Sequence, residues 1–244
     1  MKRIVFLFGI LAIVGLFVGG CTKIDDIRPM IQEGDHDYFT IGVGKHVVFA
    51  PGNLAEDGRS FVEHQWESGG LFGWGTGNNP GLTSTDWQDY ITYCDWGDSI
   101  EGEWRTLTSD EWNWVLWGRN DAHNKWALGT VNGVHGLVLL PGKWTLPEGC
   151  SFTPKSIGYE HNVYSPSQWQ QMEAAGAVFL PAAGYREGST VYDGSQGGTY
   201  WTSTPAPWTK GGAYFWSFDF DIIIFGVFNH SYIGRSVRLV HDVK

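Results

Sequence analysis

Basic side chains are scarce in this sequence. Lys and Arg together number 16 against 26 Asp and Glu in 244 residues, a formal net charge of -10. That balance excludes partners held through a phosphate backbone, which need clustered cations; no nucleic acid is expected. Metal and nucleophile signatures are missing too. The eight His do not fall at zinc-ligand spacing, and no Gly-x-Ser-x-Gly elbow is present. The glycines of Gly73-Trp74-Gly75-Thr76-Gly77 do not join a strand to a helix start, so they do not cradle phosphate. No paired carboxylates stand out for glycoside hydrolysis. We therefore expect a protein that is not an enzyme and uses no cofactor.

Apolar runs long enough to span a bilayer are absent as well. Ile4 to Val18 is apolar and follows Lys2 and Arg3, but a stable span needs about 20 residues. The pattern is that of an export signal. It ends in Val18-Gly19-Gly20-Cys21, small residues before a cysteine, which resembles the lipobox of bacterial lipoproteins. Cys21 is then the lipid attachment site, residues 1–20 the signal peptide, residues 21–37 a polar tether, and the membrane is met through the lipid anchor. The acidic pair Asp25-Asp26 just after Cys21 resembles a surface-export signal, so the expected location is the outer membrane, facing outward. Two cysteines remain, Cys94 and Cys150; an exported chain permits a disulfide, and a bridge or two thiols both fit.

Aromatic residues and glycine are plentiful: 14 Trp, 14 Phe, 10 Tyr and 34 Gly, enough aromatic surface to build a large core between irregular loops. From Tyr38 onward short strands dominate. Phe39 to Phe49 reads as a strand pair, and Trp126–Gly129 and Gly136–Leu140 as strands joined through Asn132-Gly133. Further strands are expected at 177–181, 199–203, 213–220 and 236–240. Residues 55–103 have little periodicity and read as a long loop region pinned by Trp66, Trp74, Trp87 and Trp96. Two helices carry start signals: Thr108-Ser109-Asp110-Glu111 and Ser165-Pro166-Ser167-Gln168 are capping boxes, the second with Pro at the first helical position. Asp95, Asp98, Glu101 and Glu103 form an acidic loop without EF-hand spacing, read as solvated rather than calcium-binding. The fold class expected is α+β.

The stretches VVFAPGNL (47–54), LFGWGT (71–76), WRTLTSDEW (104–112), TVNGVHGLVLLP (130–141), GAVFLPAAGYR (176–186), YWTSTP (200–205) and SVRLV (236–240) together resemble the surface lipoproteins of gut bacteria that carry a C-type-lectin-like domain of the formylglycine-generating-enzyme type. The resemblance covers nearly all of 38–244. It implies two helices, a twisted mostly antiparallel sheet, and pairing of the first and last strands. It does not carry the enzyme's chemistry, which needs cysteines in the C-terminal part; none follows Cys150. Nor are the Glu-Pro-Asn, Gln-Pro-Asp or Trp-Asn-Asp motifs of calcium-dependent sugar binding present.

Some such domains are variable proteins of diversity-generating retroelements, whose mutated codons exclude Lys, Glu, Gln, Met and Trp. Residues 217–235 contain none of those five. The same stretch crowds apolar residues without a clean strand alternation. The ligand-binding face is therefore placed on Phe215, Asp219, Asp221, Ile222, Ile224, Val227, His230, Tyr232 and Arg235. These are expected to be solvent-accessible on one side, with Phe225, Phe228 and Ile233 contributing and Trp208 and Tyr214 extending the patch. Phe218, Phe220 and Ile223 are assigned to the core. Diversified display, an ordinary ligand face and plain core remain the three readings of this stretch. The partner expected is an extracellular protein or glycan; the alternatives are a structural or adhesion subunit and a glycan-acting enzyme.

Overall fold

The computed structural model describes residues 38–220 and 222–243. The signal peptide, the tether, Cys21 and Asp221 lie outside the described residues. The architecture is mixed α+β, with two short helices and several antiparallel sheets. Among the described residues no helix is long and apolar enough to cross a membrane.

The chain starts with β1 (Phe39–Gly42) and β2 (Lys45–Phe49), turning through Gly44 at a φ of 67°, a left-handed conformation that glycine adopts without steric cost. β2 pairs antiparallel with the last strand, β13 (Leu239–Asp242), whose other edge takes the two-residue β3 (Arg105–Thr106). The first and last strands are thus in one sheet, as expected. Residues 50–104 are irregular apart from two short 3₁₀ turns at Trp87–Tyr90 and Trp96–Ser99. Trp74 and Trp96 pin this region from inside the core, whereas Trp66 and Trp87 are only half-buried.

Helix α1 (Ser109–Asn113) opens on the expected box: Thr108 Oγ1 accepts from Glu111 N, and the Glu111 carboxylate accepts from Thr108 N. Arg105 holds that carboxylate from the far side at 2.8 Å and also grips Asp242, so box, β3 and β13 are tied together. Beyond Asn113 the helix widens into a π-turn over Trp114–Gly118. α2 (Pro166–Ala174) opens on the Ser165/Gln168 box and stops before Gly176 at a φ of 89°. Between the helices, β4 (Trp126–Val131) and β5 (Val134–Leu139) form a hairpin. Its turn residues Asn132 and Gly133 both have positive φ, the conformation that matches strand twist in two-residue loops. β6 (Val163–Tyr164) and β7 (Val178–Pro181) complete that sheet in the order β6-β4-β5-β7.

The apolar runs of the sequence follow from sheets covered on both faces. Leu137, Leu139, Val178 and Leu180 enter a central core with Trp112, Leu116 and Trp216. Val138, Leu140 and Phe179 enter a second cluster under α2, with Trp169 and Met172. A strand buried on both sides has no need of alternation.

In the sheet of β10 (Gly198–Pro205), β11 (Gly212–Phe218) and β12 (Ile223–His230), β10 and β11 are likewise covered on both faces. Tyr200, Trp216 and Phe218 face the central core, while Trp201, Ala213 and Phe215 face a third cluster built from Phe72, Trp74 and Trp96 of the irregular region. A small hairpin, β8 (Tyr185–Glu187) and β9 (Thr190–Tyr192), was not anticipated. Neither was the continuation of β12 as a strand to His230, in a stretch without clean strand alternation.

Cys94 and Cys150 are two free, half-buried thiols. Cys94 sits beside Asp95 and Cys150 against the α2 cluster, so the disulfide alternative falls away.

Candidate functional site

β12 contains one extra residue relative to β11. Phe218 pairs with Ile223 and Ser217 with Ile224, but Phe215 pairs with Val227 and Tyr214 with Phe228. Between these pairs one residue of β11, at 216, opposes two of β12, at 225 and 226, a β-bulge. Gly226 takes it up at a φ of 67°. In a regular strand, residues four apart share a face; across the bulge that rule inverts. Ile223 packs on the central core and Val227 on the opposite cluster.

The bulge corrects the expected single binding face. Paired residues share a face, so Ile224 lies on the side of Ser217 and Phe215, whereas Phe228 and His230 lie on the side of Tyr214. Ile222, Ile224 and Phe228 are exposed at 50%, 40% and 45%, and His230 is exposed. Val227, Tyr232 and Asp219 are half-buried. Phe215 and Arg235, expected on the surface, are buried, as is Ile233. Phe220, assigned to the core, is 56% exposed at the hairpin tip, because the central core ends at Phe218. Trp208 is exposed and Tyr214 half-buried. Asp221 and the Phe225 side chain lie outside the described residues.

Phe215 and Ser217, on this side, border a cavity of about 680 Å³, within the roughly 300–1,000 Å³ usual for small-ligand sites. β11 contributes Phe215, Ser217 and Phe218, and the hairpin tip adds Asp219 and Phe220. Asn229, Tyr232, Ile233 and Arg235 come from β12 and the segment after it. The remaining wall is the β8–β9 hairpin and its exit: Tyr185, Glu187, Asp193, Gln196 and Thr199. Sequence reasoning missed this wall. Its signal was Tyr185-Arg186-Glu187-Gly188 followed by Thr190-Val191-Tyr192, two short alternating runs around a glycine; Tyr185 and Tyr192 pair across them with stacked rings 5.3 Å apart.

The wall is fixed from behind. The Tyr159 hydroxyl donates to Gln196 O at 2.8 Å, and its ring stacks on His135 at 4.2 Å. His135 Nδ1 lies 2.9 Å from Ser195 O. Burial, with Asp219 nearby, pushes the Tyr159 phenol above its usual range, so it stays a neutral donor.

Arg235 is the unusual member. Its backbone exchanges two hydrogen bonds with Phe72, and the residues on either side bond to Arg186 and to Thr199 and Trp201, so its position is set by three separate segments. The guanidinium lies 3.4 Å from the Phe215 ring centroid, 5.1 Å from that of Trp201 and 5.9 Å from that of Tyr185. The residue is only 3% exposed, and its buried Nε has no hydrogen-bond partner among the described residues. Burial pushes its pKa down to about 9, which leaves it cationic at neutral pH.

Arg119 and Arg238 are buried with unpartnered guanidinium nitrogens too, but neither lines this cavity. In the acidic loop, Asp95 accepts from Tyr93, Gly97 N, and both Thr106 N and Oγ1, so its two oxygens serve the fold.

The chain matches no known protein family, no curated protein and no solved structure.

Proposed function

We propose that this chain is a lipid-anchored cell-surface binding protein. In this reading a C-type-lectin-like domain recognises an extracellular protein or glycan through the cavity and the adjoining tip of the β11–β12 hairpin. The observation that carries the reading is the run of exposed apolar side chains, Phe220, Ile222 and Ile224, beside a cavity lined by aromatic and polar groups. Exposed apolar surface rimmed by polar residues marks interaction sites. Phe220 belongs to both the tip and the cavity lining. The permitted composition of 217–235 fits diversified display at the same place.

The test uses the purified chain on beads, presented with arrays of glycans and extracellular proteins. Ile222→Ser with Ile224→Ser should cost at least about tenfold in affinity, about 1.4 kcal/mol, with the melting temperature unchanged. Equal binding by the double variant refutes the face. Cys21→Ser should abolish lipid labelling; labelling that persists refutes the anchor.

A second reading, a subunit of a surface assembly, is favoured by one feature. β12 is an edge strand of eight residues with apolar side chains exposed on both faces, and such an edge can accept a strand from a neighbour. A concentration-dependent increase in mass, abolished by Phe228→Lys, would select it.

A further inference from the structure

Burying an unpaired charge costs several kcal/mol even after relaxation. Among the described residues, Arg235, nearly fully buried and with no partner for its Nε, carries that cost at the border of the binding-face cavity. The aromatic rings around it offset part of the penalty, since a desolvated cation over a ring gains about 2 kcal/mol. They leave its in-plane N–H donors unused, and those donors match a carboxylate bidentately. The rest of the lining limits what the carboxylate can be attached to. Glu187, Asp193 and Asp219 border the same cavity, and the whole chain is acidic, so a ligand with many negative charges is repelled. Gln196, Ser217 and Asn229 present neutral donors and acceptors, and the carboxylates accept from hydroxyls. Tyr185, Phe220 and Tyr232 add aromatic surface to the same lining, the kind of surface on which the C–H side of a pyranose packs.

We infer that the cavity binds a singly charged acidic sugar, a hexuronic or nonulosonic acid residue of a glycan, with its carboxylate on Arg235 and its hydroxyls on the polar rim. This rests on the binding-face reading above and narrows it from protein or glycan to carboxylated glycan. Affinity should come from the acid group, so esterification or reduction of that group should remove it.

The experiment measures binding of methyl β-glucuronide and of the methyl glycoside of N-acetylneuraminic acid to the purified full chain, by saturation-transfer NMR and thermal shift. Methyl β-glucoside, acetate and a short peptide with a free C-terminal carboxylate are the comparisons. At least one acidic glycoside should bind about tenfold or more above the glucoside and raise the melting temperature, as any ligand selective for the folded state must. Arg235→Lys keeps the charge but loses the bidentate fork, and should weaken binding at least about tenfold. Because Arg235 is buried, Ser217→Phe gives an independent check: it fills the cavity from the β11 wall while Arg235 stays in the sequence, and should abolish binding in a protein that still melts cooperatively. Equal binding of acid and neutral glycosides overturns the inference, as does no binding of either acid. So does acetate or the peptide binding as tightly as the sugars, which would make the site a bare carboxylate receptor. If these sugars fail while the bead assay still detects an Ile222/Ile224-dependent ligand, the sugar inference falls and the binding face stands. If the sugars bind and the bead assay is insensitive to that double variant, the hairpin-tip reading falls instead.

Discussion

β11 and β12 run side by side and draw on the same kinds of residue, yet the molecule treats them differently. β11 buries five of its seven side-chain positions through Phe218, taking both faces inward. Its neighbour leaves Ile224, Phe228, Asn229 and His230 exposed and half-buries Ile223 and Val227. The cause is position in the sheet. β11 lies between β10 and β12 and beneath two clusters, whereas β12 is the edge where both clusters end. Hydrophobicity alone therefore does not report burial here: FWSF of β11 and the three isoleucines 222–224 look equally core-like, yet Ile222 and Ile224 are exposed.

The contrast can be tested by substitution. Trp216→Ala should be the most damaging, at about 3–5 kcal/mol, because its ring is buried against Trp112 and Tyr200; urea unfolding measures it, and a loss below about 1 kcal/mol would contradict the central core described above. Ile223→Ala should cost about 1–2 kcal/mol, less than the ~2–5 of a fully enclosed isoleucine. Gly226→Val comes next. A Cβ there meets no atom within 4 Å, so the cost is backbone alone, about 1–2 kcal/mol for a left-handed residue with a side chain; a neutral result would mean the bulge relocates. Ile224→Ala and Phe228→Ala should stay within about 0.5 kcal/mol, as surface changes do. Equal losses from Ile223→Ala and Ile224→Ala would erase the distinction between the two strands.

How much of this was legible depended on how local the determinants were. Both capping boxes and the Asn132-Gly133 turn were readable because each is closed by residues at most three apart. The pairing of the end strands came through the motif resemblance. The bulge was not readable: Gly226 in an apolar run hints at an irregularity, but which face each flanking residue takes depends on the pairing with β11. The buried state of Arg235 was hidden for a stronger reason. Its aromatic neighbours come from residues 185, 201 and 215, and an arginine between a glycine and a serine reads as surface. Even so, six of the nine residues placed on the face (Phe215, Asp219, Tyr232 and Arg235 in the cavity lining, with Ile224 and Val227 on the same face of β12) gather on one side of the hairpin.

The register of the first sheet has a consequence for how the domain can be cut and joined. Phe39 and Asp242 both pair with Val47, one from each side. Entry and exit are therefore level with each other and two strand spacings apart, about 10 Å. A linker of a few residues would close the chain into a ring, and new ends could be opened at the exposed Asn132-Gly133 turn, where no Cβ contact stands in the way at Gly133. The same adjacency means the folded unit could be spliced into a surface loop of a host protein and removed again with little disturbance to either, a modular geometry in which both ends use a single doorway.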